Sequence, residues 1–357
     1  MKKFFWAIIC QLFITPCLFA QWPAINGTLK WHGTSVDESF QNAKVLGTAL
    51  IFTLPDLNIS PGISLVVEAG ANLEIGSSNA TYIKEFAPER EVLLSKAYLE
   101  FLPSDWLKLS AGAINQDEYQ SPLLLGARAF VAASQQVSIS LGQLNQLFIR
   151  SQQSIPSNDT LTNRIGSIDG KSPQFFMHTL GLDLEGDIVS LEVEVSLWRF
   201  QGLPNSVAYY SRLMGNTVSG VGTDGSRFFY KYFGKNARFN LTLFEQSSVN
   251  FSLNGQWVIN DDAADGHDQG QMVSAGPSFF GHQLFFHWMR NESDSSVAFY
   301  NSSFLGHNNR KGYGVSLAGK LNGPWSYSVR AWDLSLIENS LYQSEGRRFQ
   351  FGLERNF

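Results

Sequence analysis

Cysteine is confined to Cys10 and Cys17, so residues 21–357 contain none. A chain of this size without disulfides is not a stapled extracellular module. After Phe19 no apolar run approaches the roughly 18 residues that a membrane-crossing helix needs, and mean hydropathy is only −0.09. That pattern argues against a helical membrane protein. Charge is sparse, at 16% of residues, and slightly acidic, with a net −5. No basic run is present, which argues against nucleic-acid binding. No linker of shifted composition divides the chain, so a single large domain is expected.

Aromatic residues are plentiful, at 13% with 28 Phe and 9 Trp. The first twenty residues stand apart from the rest. Met1-Lys2-Lys3 is a basic start, Phe4 to Phe19 is mostly apolar, and Ala20 offers a small residue before Gln21. This is the anatomy of a secretory signal peptide, with cleavage expected after Ala20. Pro16 stands where a lipoprotein signal would need a small residue before Cys17. Loss of Lys2 and Lys3 would take the net charge of residues 21–357 to −7.

The remaining chain alternates. Leu65, Val67, Ala69, Ala71, Leu73 and Ile75 interleave with Ser64, Glu68, Gly70, Asn72 and Glu74. Val189, Leu191, Val193, Val195 and Leu197 interleave with Ser190, Glu192, Glu194 and Ser196. Val249–Ile259 and Tyr313–Leu321 repeat the pattern. Successive side chains of a strand point to opposite faces. The runs are about 10–12 residues long, the length that a tilted strand needs to cross a bilayer. Glu192 and Glu194 share a face that must meet water.

Tight turns are expected at Pro103-Ser104-Asp105, Ser134-Gln135, Glu185-Gly186-Asp187, Ser247-Ser248, Phe280-Gly281 and Asn322-Gly323. Longer polar connections are expected at 77–91, 116–121, 150–172, 260–268, 291–310 and 337–346. Short turns at one end and long loops at the other suit an up-and-down transmembrane barrel. Zone 200–235 decides the count. It gives 18 strands if Val207–Leu213 and Arg227–Phe233 belong to the wall, and 16 if they form a long outer loop; 16 is the expectation. In 325–336, Trp325, Tyr327, Val329 and Ala331 hold one phase while Trp332, Leu334 and Leu336 hold the other. Such a flip points to a bulge or to the strand leaving the bilayer near Trp332.

The chain closes on Phe349-Gln350-Phe351-Gly352-Leu353-Glu354-Arg355-Asn356-Phe357. Phe349, Phe351, Leu353 and Phe357 share an apolar face. This ending resembles the carboxy-terminal signature of Gram-negative outer-membrane β-barrels, with Arg355 departing where an apolar residue is usual. The hairpin Ala97–Gly112, with its Pro103 turn followed by Trp106, is similar to porin hairpins. The resemblance, to barrels of the porin type, implies an all-β antiparallel barrel over 21–357 and an outer-membrane location. It further implies short periplasmic turns, lipid and lipopolysaccharide around the wall, and assembly machinery that reads the four C-terminal apolar residues. A trimer and a monomer are both compatible with it.

The inward phase should include Glu68, Glu74, Lys96, Glu100, Lys108, Glu192, Glu194, Lys320 and Arg330. Together they would line a polar lumen, where charge and width decide what passes. Residues 150–172, carrying Asp159, Arg164, Asp169 and Lys171, are the candidate constriction loop. In porins the constricting loop follows the fifth strand, here the short Gln116–Ser121. Asn260–Asp268 is acidic but lacks the ligand spacing and closing glutamate of a calcium loop. The six histidines form no catalytic motif with a nucleophile. No cofactor, no metal and no enzymatic activity is therefore expected. The Asn-x-Ser/Thr sequons follow from period-two polar faces. Passive diffusion of small hydrophilic solutes is the function expected. The rivals are an adhesive or structural barrel with a plugged lumen, and a substrate-specific channel with an aromatic track drawn from Tyr98, Trp198 and Tyr230.

Overall fold

The computed structural model describes residues 25–142, 145–156, 172–321 and 323–357. The expected signal peptide lies outside them. The first wall strands are β1 (Asn26–Glu38), β2 (Gln41–Ser60), β3 (Ile63–Ala80), β4 (Arg90–Ser104) and β5 (Leu107–Asn115). After a turn of 3-10 helix at Gln116–Tyr119 come β6 (Ala129–Ser140), β7 (Gln146–Ile155), β8 (Gln174–Leu184) and β9 (Val189–Gln201). A long connection then holds helix α1 (Asn205–Leu213) and a small hairpin of β10 (Val218–Ser219) and β11 (Arg227–Phe228). The wall resumes with β12 (Phe233–Leu243), β13 (Val249–Asn260), β14 (Gln269–Phe279) and β15 (His282–Asn291). It ends with β16 (Arg310–Lys320), β17 (Trp325–Leu336) and β18 (Gly346–Asn356).

The wall is a closed antiparallel barrel of 16 strands in which each strand pairs its chain neighbours and β9 pairs β12. Closure is made by β1 against β18, in unbroken register from Thr28↔Asn356 to Glu38↔Gly346. Closure removes every sheet edge, the condition for β structure in a bilayer. Zone 200–235 is therefore a connection, and the wall count is 16.

The two ends differ as expected. Seven connections at the chain-terminus end are short, such as 61–62, 105–106, 185–188 and 280–281. At the other end only 39–40 is short, and 116–128, 202–232 and 292–309 are long. Outward side chains form an apolar belt: Leu50, Phe52, Leu73, Val92, Val131, Ile149, Leu180, Val195, Leu197, Phe251, Val273 and Phe349 are all exposed. So much open apolar surface calls for hydrocarbon around it.

Four expectations need correction. The connection expected over 150–172 begins only after Ile155, since β7 carries Arg150 in the wall. Ser134-Gln135 is no turn; it lies mid-strand in β6, and the chain reverses at 141–145. Polar Ser134 and Gln136 simply share the inward phase of that strand. The connection after β5 does not stop at Ser121 but runs to Arg128, because Pro122 and the following leucines leave the wall. Finally, β17 does not bulge at Trp332, since its register with β16 is continuous from Arg310↔Leu336 to Lys320↔Ser326. Trp332 and Leu334 are buried on the inward face. The phase flip accompanies what fills the barrel, since both side chains join the cluster inside it.

Candidate pore and its plug

In the turn-side half the inward face is polar. By register Glu68, Asn72 and Glu74 of β3 share it with His32 of β1. The Glu74 carboxylate takes His32 Nε2 at 2.9 Å and the Asn72 amide at 3.2 Å, and accepts the Glu89 backbone N–H at 3.0 Å. Lys96 stands opposite Glu68 in the ladder and reaches Glu118 at 3.0 Å. Glu100 pairs with Lys108 across the β4–β5 hairpin. Glu194 receives Arg150 Nη2 at 3.1 Å and Arg238 Nε at 2.9 Å, and Arg238 also grips Glu192. Lys320 and Arg330 are on the same inward phase and exposed.

The sequence reading missed Arg150 and Arg238, the cations that neutralise Glu192 and Glu194. Their signal was phase. Arg150 keeps step with Gln152 and Ser154, and Arg238 with Asn236, Asn240 and Thr242, all on inward faces. His287, also inward, bridges Ser274 at 2.6 Å and Ser316 at 2.8 Å and stacks on Trp332. Of these residues His32, Arg238, His287 and Arg330 line a cavity of about 810 Å³, together with Lys30, Asn254 and Gln283. The inward phase could be read from the alternation, whereas partners across strands could not.

The opposite half of the lumen is filled. Segment 116–128 turns inward, and Leu123, Leu124 and Leu125 are fully buried. Segment 292–309 follows it, with Val297, Ala298, Phe299, Tyr300 and Leu305 buried. They pack with α1 residue Val207 and with wall residues Phe130, Phe175, Met177, Trp198, Phe200, Val258, Met289, Trp332 and Leu334 in one cluster. Tyr300 stacks on Phe200 at 5.5 Å and meets Phe130 edge-on at 5.7 Å.

Burying loop backbone requires partners for its polar groups, and the chain supplies them. Gln256 accepts the Leu123 N–H at 3.1 Å, and Gln152 donates to Gln116 at 2.9 Å. Gly126 N–H donates to Tyr300 O at 2.7 Å, and Ser296 Oγ to Leu123 O at 2.7 Å. Asp294 accepts Thr217 N–H at 2.9 Å, Thr217 Oγ1 at 2.6 Å and the Tyr232 hydroxyl at 2.8 Å. Burial, with the Asp294 carboxylate beside it, pushes the Tyr232 hydroxyl well above its ordinary pKa. Burial likewise pushes Tyr119, lying under the Arg150 guanidinium, up to about 12.

An ionic clasp ties this plug to the closing seam of the wall. Glu38 of β1 takes Arg310 of β16 at 2.9 Å on one oxygen and Arg348 of β18 at 2.7 Å on the other. Arg348 also donates to Ser303 O of the plug. His307 bonds Asn301 at 2.8 Å through Nδ1 and Glu85 of the 81–89 connection at 2.5 Å through Nε2.

The candidate constriction residues Asp159, Arg164, Asp169 and Lys171 lie outside the described residues. Of the expected aromatic track, Trp198 is buried in the plug cluster, Tyr230 belongs to the 202–232 connection, and Tyr98 sits on β4. In the acidic connection Asp261 holds Lys235 at 3.0 Å and Asp262 accepts the Lys231 N–H at 2.8 Å. Among the described residues no group of His, Cys, Asp and Glu is placed to hold a metal ion.

No protein-family model matches the sequence, and no curated protein does. Solved structures do match. OprB of Pseudomonas putida, at high pH, has a TM-score of 0.58 at 9% identity, over 93% of this chain and 93% of that one. OccK5 (OpdH) of Pseudomonas aeruginosa has a TM-score of 0.49 at 9% identity, over 93% of this chain and 98% of that one. The outer membrane protein OprD of Pseudomonas aeruginosa gives 0.46 at 10% identity, over 93% and 94%. The likeness to OprB is one of fold, a porin-type barrel.

Proposed function

We propose that the protein is an outer-membrane porin through which small hydrophilic solutes diffuse passively, along a lumen narrowed from the outer side by 116–128 and 292–309. The observation that carries this reading is the cavity of about 810 Å³, lined by charged and polar side chains inside a wall whose outer face is apolar. A water-filled path removes the desolvation cost that hydrocarbon imposes on polar solutes, and charge and width at the narrowest point select among them. No chemistry is needed.

The buried aromatic and aliphatic cluster across the outer half favours a second reading, a barrel whose loops close it. Single-channel recording of purified protein in planar bilayers separates the two. Open conductance steps are expected; insertion without steps would overturn the porin reading. A substrate-specific channel would add saturation of flux by its solute, where a general porin shows linear flux.

The route to the membrane belongs to the same proposal. Mass spectrometry of the mature protein should find Gln21 at its start. Deletion of Phe357 should slow insertion of the barrel, read as loss of the heat-modifiable folded band on gels. Lipopolysaccharide contact and a homotrimer fit the exposed apolar wall, and cross-linking in native membranes would count the subunits.

A further inference from the structure

The ionic clasp between plug and wall has donors left over. Arg310 is buried, and two of its three nitrogens are engaged, Nη2 by Glu38 at 2.9 Å and Nη1 by Ser344 O. Its Nε meets no acceptor of the chain, and neither does the buried amide nitrogen Nε2 of Gln41. Leaving such donors unmatched is costly. Both residues line a cavity of about 40 Å³, together with Tyr82, Tyr342 and Gly306. A Cβ on Gly306 would stand 3.2 Å from Arg310 Nε, so the glycine keeps the approach to that nitrogen clear.

Charge decides what completes these donors. The two carboxylates that line the cavity are already engaged, Glu38 by Arg310 and Arg348, and Glu85 by His307. Asn301 Nδ2 donates to Ser296 Oγ and Asn308 Oδ1, so its oxygen faces His307 Nδ1 while Glu85 faces Nε2. A ring with acceptors at both nitrogens carries both protons. Two carboxylates thus stand against two guanidinium groups and an imidazolium, an excess of one positive charge. A buried charge without a counter-charge is costly. Water would satisfy the donors and leave the excess charge, whereas one anion answers both. Size narrows the class. About 10–15 Å³ of such space takes one water, so a cavity of about 40 Å³ suits a monatomic ion and is too small for an organic acid.

We propose that this recess binds one halide ion between Arg310 Nε and Gln41 Nε2. Bound there, the ion ties β16 and β2 to the plug at Gly306 and His307, beside the seam where β1 meets β18. The inference goes beyond the porin reading and does not rest on conduction, so a barrel that proves closed would leave it standing.

The test uses the purified full-length protein in neutral detergent, with sodium gluconate exchanged for sodium chloride or bromide at constant ionic strength. The temperature at which the heat-modifiable folded band is lost should rise with either halide and then level off, as ligand binding to the folded state requires. Crystals grown in bromide should give an anomalous peak between Arg310 Nε and Gln41 Nε2. Gln41→Met keeps the side-chain length and removes the donor. It should need about tenfold more halide for the same protection, and in gluconate alone it should melt like the unaltered protein. Melting indifferent to halide would overturn the site and leave water in the recess; a bromide peak alongside it would then mark an adventitious ion only. Protection that Gln41→Met leaves unchanged would place the anion elsewhere and overturn the assignment. If that variant does not fold, the bromide peak and the halide dependence of the unaltered protein decide the matter, and absence of either overturns it.

Discussion

Along β9 the inward side chains read Ser190, Glu192, Glu194 and Ser196 at the turn end, then Trp198 and Phe200 at the loop end. β17 runs the same course: Ser326, Ser328 and Arg330 at the turn end give way to Trp332 and Leu334 at the loop end. On β8, Phe175 and Met177 precede Thr179 and Asp183; on β13, Ser252, Asn254 and Gln256 lead to Val258. One set of strands thus builds two interiors. The turn-side interior is wet and charge-paired, while the loop-side interior is packed like a globular core. A wall whose inward face turns apolar at one level on several strands is a wall with something folded against it.

The largest effects should come from breaking the packed interior. Tyr300→Ala removes a ring buried among Phe130, Phe200 and Phe299 and should cost about 3–5 kcal/mol. Unfolding titrations in lipid would read that loss, and single-channel recording should show larger open steps as the plug loosens. The mirror experiment in the wet interior is Ser316→Ala, which takes one hydrogen bond from His287 and should cost about 0.5–1.5 kcal/mol. Equal costs would erase the distinction between the two halves.

Glu38→Gln breaks the clasp between plug and wall. Arg310 and Arg348 would stay buried with their shared carboxylate gone. Removing one partner of a buried ion pair costs roughly 3–5 kcal/mol. Stability comparable to the unaltered protein would mean that the plug is held by packing alone.

The facing of the wall is tested on β9. Val193→Lys would put a charge on the outward face, at a cost of roughly 2–4 kcal/mol near the bilayer midplane. From sequence alone Glu192 is a solvated wall residue whose replacement by Lys should hardly disturb folding. Its ion pair with Arg238 changes that expectation: Glu192→Lys would set two cations together, so Glu192→Gln is the cleaner control. Glu192 is partly exposed and the buried Arg238 keeps Glu194 as partner, so the loss should be about 1 kcal/mol. A larger loss from Glu192→Gln than from Val193→Lys would turn the barrel inside out.

These contrasts mark what could be read from the chain itself. Period-two alternation, turn positions such as Glu185-Gly186-Asp187 and the apolar ending at Phe357 gave barrel, strand direction and inward phase. Lumen content was hidden, because alternation reports which face a residue takes and not what it meets there. Trp332 and Leu334 carried the clue, yet an inward apolar residue near a strand end also fits a strand leaving the bilayer. Leu123, Leu124 and Leu125 look like wall until their register is known. Ion partners such as Arg238 for Glu194 depend on the register between strands, which local sequence does not contain.

The smallest expected effect is also the most selective. Glu85, outside the wall, joins the 81–89 connection to the plug through His307. Burial works to raise its pKa, but His307, Arg348 and Arg128 outweigh it and hold the carboxyl below its ordinary value of 4.5. A group depressed in the folded state stabilises fully above that ordinary value and loses its contribution as pH falls through the lower folded one. Acidification below about pH 4 should therefore loosen the contact between 81–89 and 292–309. Hydrogen exchange of the His307 and Asn308 amides between pH 6 and 3, corrected for intrinsic rates, would measure it. Glu85→Gln should exchange faster already at pH 6 and change little on acidification. If both proteins titrate alike, some other carboxylate governs the plug, and Glu38 at the clasp is the next to replace.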